Sequence, residues 1–148
     1  MYKHILVPTD GTRLSDKAIR SAAELAAKIG AKITGLHVLP PYNLAISGYE
    51  IAPVVVFSPA EYRKVSAKAA KAALDKVESA AGAAGVSCAT LSVTDEHPWE
   101  AIVRSARDRK CDLIVMASHG RRGLSGLLIG SETTKVLTRS KVPVLVVR

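Results

Sequence analysis

His4-Ile5-Leu6-Val7-Pro8, followed by Thr9-Asp10-Gly11-Thr12, a stripe of Leu14, Ala18, Ala22, Leu25, Ala26 and Ile29, and then Ile33-Thr34-Gly35-Leu36-His37-Val38-Leu39, reads as a strand, a helix and a second strand. The opening run is short, apolar on both faces and stopped by Pro8, the pattern of a strand buried in a parallel sheet. Ser15 is placed to cap the helix that follows, and Gly30 to end it. Pro40-Pro41 closes the second strand. Such a unit predicts parallel pairing with helices against the sheet.

The same alternation continues along the chain. Residues 40–58 hold Pro40, Pro41, Gly48 and Pro53 and are the least regular part. They read as a long excursion, carrying Tyr42 and Tyr49, although Val54-Val55-Val56-Phe57 has the composition of a short strand. A helix is expected from Pro59 to Ala84, with Ser58 as its cap, Val65, Ala69, Ala72, Leu74 and Val77 as its apolar side, and Gly82 and Gly85 ending it. Lys64, Lys68 and Lys71 would form its wet face. Val86–Val93 reads as a third strand. Pro98 opens a helix whose inner face is Trp99, Ile102, Val103 and Ala106. Asp112–Ala117 is a strongly apolar fourth strand, Ser131–Arg139 a last helix, and Val142–Val147 a fifth strand. One α/β domain over residues 1–148, an open five-stranded and mainly parallel sheet, is the expected fold.

Composition bounds the function. The chain has 148 residues, 48% of them hydrophobic and 23% charged, which suits a globular domain and excludes a disordered, collagenous or disulfide-built chain. No apolar run reaches the ~18 residues of a membrane span. The N-terminal run is broken by Pro8 too early for a signal peptide, so the cytoplasm is the expected address and no membrane partner is expected. Cys88 and Cys111 form no CxxC pair and read as buried thiols. The net charge of +8 is uneven: residues 101–148 hold 10 Lys+Arg against 3 Asp+Glu. A positive stretch that also contains a glycine-rich loop suggests a phosphate-bearing partner.

In open parallel sheets the ligand lies beyond the carboxyl ends of the strands, where strand order reverses. Two stretches leave strands at such points. One is Pro8-Thr9-Asp10-Gly11. The other is Ala117-Ser118-His119-Gly120-Arg121-Arg122-Gly123, which runs through Leu124-Ser125-Gly126 to Gly130-Ser131 at the start of a helix. Glycines allow close backbone approach, and a helix start offers unpaired N–H groups to an anion. Ser131 adds a hydroxyl, and Arg121 and Arg122 add charge. There is no GxxxxGK[ST], no GxGxxG after the first strand and no HExxH. The four histidines have no metal-ligand spacing. Ser118 and His119 are adjacent, a placement in which side chains rarely meet, so they are not read as nucleophile and base, and no catalytic residue is assigned.

Ala117-Ser118-His119-Gly120, nine residues, then Gly130-Ser131 resembles the Gly-x-x-Gly-(nine)-Gly-Ser/Thr nucleotide motif of the universal stress protein family. The opening ILVPTDGT, LHVLP at the end of the second strand and the closing KVPVLVV are similar to that family as well. The resemblance covers residues 1–148 and implies an adenine-nucleotide α-hydrolase-like fold with strand order 3-2-1-4-5. It implies ATP, or AMP or ADP, as ligand, with Mg²⁺ or Mn²⁺ held through the phosphates. Gly120, Arg121, Gly130, Ser131 and Thr133 would hold the phosphates. Asp10 would lie near the nucleoside, and the Val38 backbone would read adenine. The full set of expected contacts adds Pro8, Thr9, Ala117, Ser118, His119, Arg122, Gly123 and Glu132. The sequence departs from the motif at Ala117, which stands where the first glycine is expected.

Other readings stand beside these. Asp10 could cap the first helix through an Asx turn, His119 could orient the loop, and Gly123 and Gly126 could serve loop flexibility alone. The resemblance implies an ATP-binding regulator in the stress response rather than a metabolic enzyme, with slow hydrolysis left open. The alternative is a nucleotide-free homodimeric interaction protein on the same fold. A homodimer through residues 142–148 is expected, because an apolar last strand is an association hazard if left bare. Nucleic-acid binding is disfavoured by the lack of aromatics interleaved with the basic residues.

Overall fold

The computed structural model describes residues 1–43, 58–119 and 129–148; the 44–57 part of the excursion and residues 120–128 of the glycine-rich loop lie outside it. Its strands are β1 (His4–Pro8), β2 (Lys32–Leu39), β3 (Cys88–Thr94), β4 (Leu113–Ala117) and β5 (Val144–Val147). Its helices are α1 (Arg13–Ile29), α2 (Pro59–Ala83), α3 (Pro98–Asp108) and α4 (Ser131–Arg139). The strands form one sheet in the order β3-β2-β1-β4-β5, and every pairing is parallel. The expected class and strand order are therefore the observed ones. Strand order reverses between β1 and β4.

The core has two halves, one on each side of the sheet. Ile5, Val7, Ile33, Leu113 and Val115 point to α1 and α2, while Leu6, Leu36, Ile114 and Met116 point to α3 and α4. Alternate side chains of β1 and β4 are thus buried on opposite faces, which is why these strands read as unbroken apolar runs. Burying each such side chain stabilises the fold by about 1.5–3 kcal/mol before the entropy of ordering is counted. Gly35 admits α2 to the sheet: a Cβ there would lie 3.1 Å from two Val77 side-chain atoms.

Several local expectations are corrected. Thr12, not Ser15, is the N-cap of α1; its extended backbone (ψ 163) lets its hydroxyl accept from Ser15 N–H, and Ser15 is buried inside the first turn. The inner face of α2 is Ser66, Ala70, Ala73, Leu74, Val77 and Ala81, while Val65 is 50% exposed and Ala69 and Ala72 are exposed. In so alanine-rich a helix, two neighbouring stripes are almost equally apolar, and only Leu74 and Val77 separate helix inside from outside. Ser58 caps α2 as expected, and Glu61 completes a reciprocal capping box. Gly82 lies within α2, and Gly85 follows its end in the left-handed region. β3 starts at Cys88, β4 at Leu113 and β5 at Val144, each one or two residues later than the apolar run suggested. Trp99 and Val103 are only partly buried; Ala101 and Ser105 share the inside of α3 with Ile102 and Ala106. Cys111 is buried, Cys88 is half-buried, and both are free thiols.

Candidate functional site

The site is built from the loop after β1, the end of β2, and the junction of β4 with α4. The loop after β1 is locked from within. Thr9 N–H continues the ladder to Leu36 O at 2.8 Å, and the buried Thr9 hydroxyl donates to Ser15 Oγ and accepts from Gly11 N–H. Asp10 Oδ1 accepts from Thr12 N–H at 3.0 Å and from the Thr12 hydroxyl at 2.7 Å, the Asx turn that leads into α1. Thr9 O meets the Nδ1 of His37, a fully buried side chain of β2, at 2.8 Å. His37 was not among the expected site residues. The signal was there: a polar side chain in the middle of a buried apolar strand must have a partner.

β2 outruns β1. Pro8 is opposite Leu36, so His37, Val38 and Leu39 extend beyond the end of β1 with only β3 beside them. Lys32 and Leu36 direct their peptide groups toward β1, whereas Ile33 and Leu39 direct theirs toward β3. Val38 shares the parity of Leu36. Its N–H and C=O therefore face the crevice beyond β1, which is the geometry that backbone reading of a base requires.

On the other side of the switch point, Ser118 N–H donates to Val147 O at 2.8 Å and Gly130 N–H donates to Ser118 O at 2.8 Å. These bonds seat the start of α4 against the end of β4. Gly130 occupies the N-cap with extended backbone (ψ 150) and no side chain to cap the helix, so the first-turn N–H groups of Ser131 and its successors stay available. The glycine is demanded by the protein itself: a Cβ at 130 would lie 3.2 Å from Ser118 O and 3.3 Å from His119 Cα. Thr133 is buried, and its hydroxyl donates to Ala117 O at 3.0 Å, so this hydroxyl tethers the strand end. Glu132 turns its carboxylate to Trp99 N–H at the start of α3 and to Lys135, leaving its backbone N–H on the crevice side. Ser131 is exposed.

Ser118 and His119 do meet: Oγ and Nδ1 are 3.1 Å apart, contrary to the expectation for neighbours. The pairing is possible because β4 has ended and the chain is bending. Among the described residues no carboxylate bonds that imidazole, so the pair lacks the orienting third group of an activated nucleophile. Ala117 ends β4 and is buried. Among the described residues Lys110 is the only non-glycine with positive φ, so the backbone at Ala117 is one that alanine adopts freely. Gly120, Arg121, Arg122 and Gly123 lie outside the described residues. A groove of about 530 Å³ between α2 and β3, lined by Ser66, Ala70, Thr90 and Ser92, reaches Leu39 and Pro40 at the end of β2.

The family model of the universal stress protein family matches residues 1–148. The chain belongs to the universal stress protein family. The universal stress protein YxiE of Bacillus subtilis is 31% identical over 151 residues, covering all of both chains. A universal stress protein of Thermus aquaticus is 34% identical over 149 residues, again covering all of both. Among solved structures, MJ0577 of Methanocaldococcus jannaschii superposes with a TM-score of 0.80 at 28% identity, covering 99% of this chain and 96% of that one. A universal stress protein solved in complex with cAMP has a TM-score of 0.73 at 30% identity, covering 99% and 97%. No helix among the described residues of this universal stress protein is long and apolar enough to cross a membrane.

Proposed function

We propose that this universal stress protein binds an adenine nucleotide, ATP foremost, at the switch point between β1 and β4, and acts as a nucleotide-dependent regulator. The observation that carries the reading is the uncapped start of α4 seated against the end of β4, across from the outward-facing peptide groups of Val38. The first offers N–H donors to phosphate and the second offers a donor and an acceptor to the adenine edge. The 30%-identical universal stress protein solved with cAMP supports an adenine nucleotide as the ligand class. Asp10, fixed by its Asx turn, lies between the two ends of the crevice, and Arg121 and Arg122 supply the charge. Among the described residues no three His, Cys, Asp or Glu side chains cluster, so Mg²⁺ or Mn²⁺ is read as held through the phosphates.

Calorimetric titration of ATP, AMP and adenosine tests this. Arg121→Ala should weaken ATP far more than adenosine, since a guanidinium there acts on phosphate alone. No binding of any of the three by folded protein refutes the reading and favours the nucleotide-free homodimer. Homodimerisation through residues 142–148 belongs to the same proposal. β5 is an edge strand, and Leu145 on it is 42% exposed. A monomer by light scattering at micromolar concentration refutes that part.

A further inference from the structure

The end of the molecule opposite the crevice, where strands begin and helices finish, carries most of the chain's charge excess. Lys3 before β1, Lys28 in the last turn of α1, Lys32 at the start of β2, Arg109 and Lys110 between α3 and β4, and Lys141 between α4 and β5 are all exposed. None of the six has a carboxylate partner among the described residues. The carboxylates that flank Arg109 and Lys110 in the chain are both engaged: Asp108 pairs with Arg107 at 2.9 Å, and Asp112 accepts from the N–H groups of Lys3 and His4. Burial first, and then the charge of Lys32, hold the His4 imidazole below its ordinary range, as a positive surrounding requires.

Part of this charge answers the helix dipoles, for Lys28 lies in a last turn and Arg109 is the C-cap of α3. Lys110, the next residue, is set apart by its backbone. Its φ is 55, in the left-handed turn where Cys111 N–H reaches back to Ala106 O at 2.8 Å. Glycine is the unstrained residue at such a helix end, and the chain places glycine in the left-handed region after α1 (Gly30, φ 69) and after α2 (Gly85, φ 68). After α3 it keeps a lysine at a cost to the fold. A charge retained against local strain points to work outside the fold.

We propose that this basic end is a docking surface for the phosphate backbone of duplex nucleic acid. The six cations spread across β2, β1, β4 and β5, roughly 15 Å at ~4.8 Å per strand, with helix layers to either side. That breadth matches two phosphate chains better than one. A single strand would want a row of stacking rings, and among the described residues Tyr2 is the one aromatic residue placed here. A lipid surface would want a broader apolar anchor than the exposed Met1 and Tyr2 beside Lys3. The contacts are with phosphate, so no sequence preference follows. The surface is independent of the nucleotide crevice and stands or falls without it.

Fluorescence anisotropy with a labelled 30-bp DNA duplex, over a salt series, tests the proposal. Binding should be in the ~1–100 µM range at physiological salt and weaken steeply as salt rises, by about 0.9 in log–log slope per phosphate contact. Lys110→Gly should raise the melting temperature and at the same time lower duplex affinity several-fold, reducing the slope by about 1. The triple variant Lys32→Gln/Arg109→Gln/Lys141→Gln should lose at least tenfold. Lys64→Gln/Lys68→Gln removes two exposed charges from α2 and should leave affinity unchanged. The proposal is overturned if Lys110→Gly or the triple variant binds like wild type, or if the α2 pair loses as much as the triple. Binding to phosphatidylserine vesicles but not to the duplex overturns it as well.

Discussion

Gly130→Ala separates two reasons for a glycine at the start of α4. A glycine there could serve ligand approach alone, leaving the free protein indifferent to a methyl group. The structure says otherwise, because the added Cβ would sit 3.2 Å from Ser118 O and 3.3 Å from His119 Cα, both main-chain atoms, so the two segments must part by a few tenths of an ångström. Ser118 O is also the acceptor of Gly130 N–H at 2.8 Å, so pushing the two segments apart lengthens the bond that seats α4 on β4. φ at Gly130 is −59, so no backbone strain is added. Overpacking of this kind costs about 1–3 kcal/mol. Exchanging Gly for Ala at an N-cap adds some tenths of a kcal/mol, and the stiffer unfolded chain returns about 0.4–1 kcal/mol. The net expectation is a loss of about 1–2 kcal/mol in the ligand-free protein. Urea denaturation followed by circular dichroism measures it, with an unchanged m-value confirming that the same states are compared. ATP affinity should fall in the same variant, because Ser118 and His119 move with the strain. A Gly130→Ala protein as stable as wild type, with the same m-value, refutes the argument that the glycine is demanded by β4.

Thr133→Val keeps the shape but removes the donor to Ala117 O, and should cost about 1–1.5 kcal/mol by urea denaturation, with Thr133→Ser restoring most of it. Burial pushes the Asp112 carboxyl up, but the N–H groups of His4 and Lys3 outweigh it and hold the group below the usual carboxylate range. A depressed folded pKa gives stability that is present above the unfolded value near 4 and lost as pH falls through the folded one. Asp112→Asn should therefore lower the melting temperature at pH 7, by the equivalent of about 1 kcal/mol for these half-solvated bonds, and the difference should shrink as pH falls through the folded value. Burial, and then the charge of Asp112, push the Cys111 thiol up to about 11, whereas Cys88 is half-buried. A thiol reagent at pH 8 should thus modify Cys88 first and Cys111 only on unfolding; equal native rates would contradict this placement.

The parts legible in the sequence were those that one local pattern decides. Apolar runs such as Leu113–Ala117, two-sided and bounded by turns, can only be strands between two helix layers, and from them the parallel sheet follows. Ser58 and Pro59 announced the start of α2, because a cap and a first-turn proline are read from two adjacent residues, and Glu61 completes the box. Misreadings arose where two local solutions had similar merit. Thr12 and Ser15 can both cap α1, and the choice depends on Asp10 taking the Thr12 N–H and hydroxyl into its Asx turn. The face of α2 depends on contacts such as that of Val77 with Gly35, about forty residues away in chain order. At the candidate site Thr9, Asp10 and Gly130 were expected from their positions at element ends, and Val38 from the family resemblance. The sequence could not show that the Thr133 hydroxyl is spent on Ala117, or that His37 holds the loop after β1, because both partners come from other elements.

Charge was the least legible property, and the reason lies in the topology. A chain that alternates strand and helix crosses the molecule with every element, so neighbouring loops in sequence fall at opposite ends in space. The basic residues of 101–148 surround the glycine-rich loop in chain order, yet Arg107, Arg109, Lys110, Arg139 and Lys141 lie in helix last turns or in loops leading into strands, at the far end from the crevice. The first turns of the four helices described above carry an acid instead: Asp16, Glu61, Glu100 and Glu132. Each choice is locally favourable against its helix dipole, by about 0.3–1 kcal/mol, and four helices aligned by one parallel sheet add these choices into a molecule polarised along its strands. The two ends therefore admit anions by different means. At the crevice end a phosphate is met by backbone N–H groups at the start of α4, with the charge of Arg121 and Arg122 added on the proposed reading, which suits a small ligand enclosed at close range. At the basic end it is met by long side chains in water, which suits an extended polyanion held by many weak contacts.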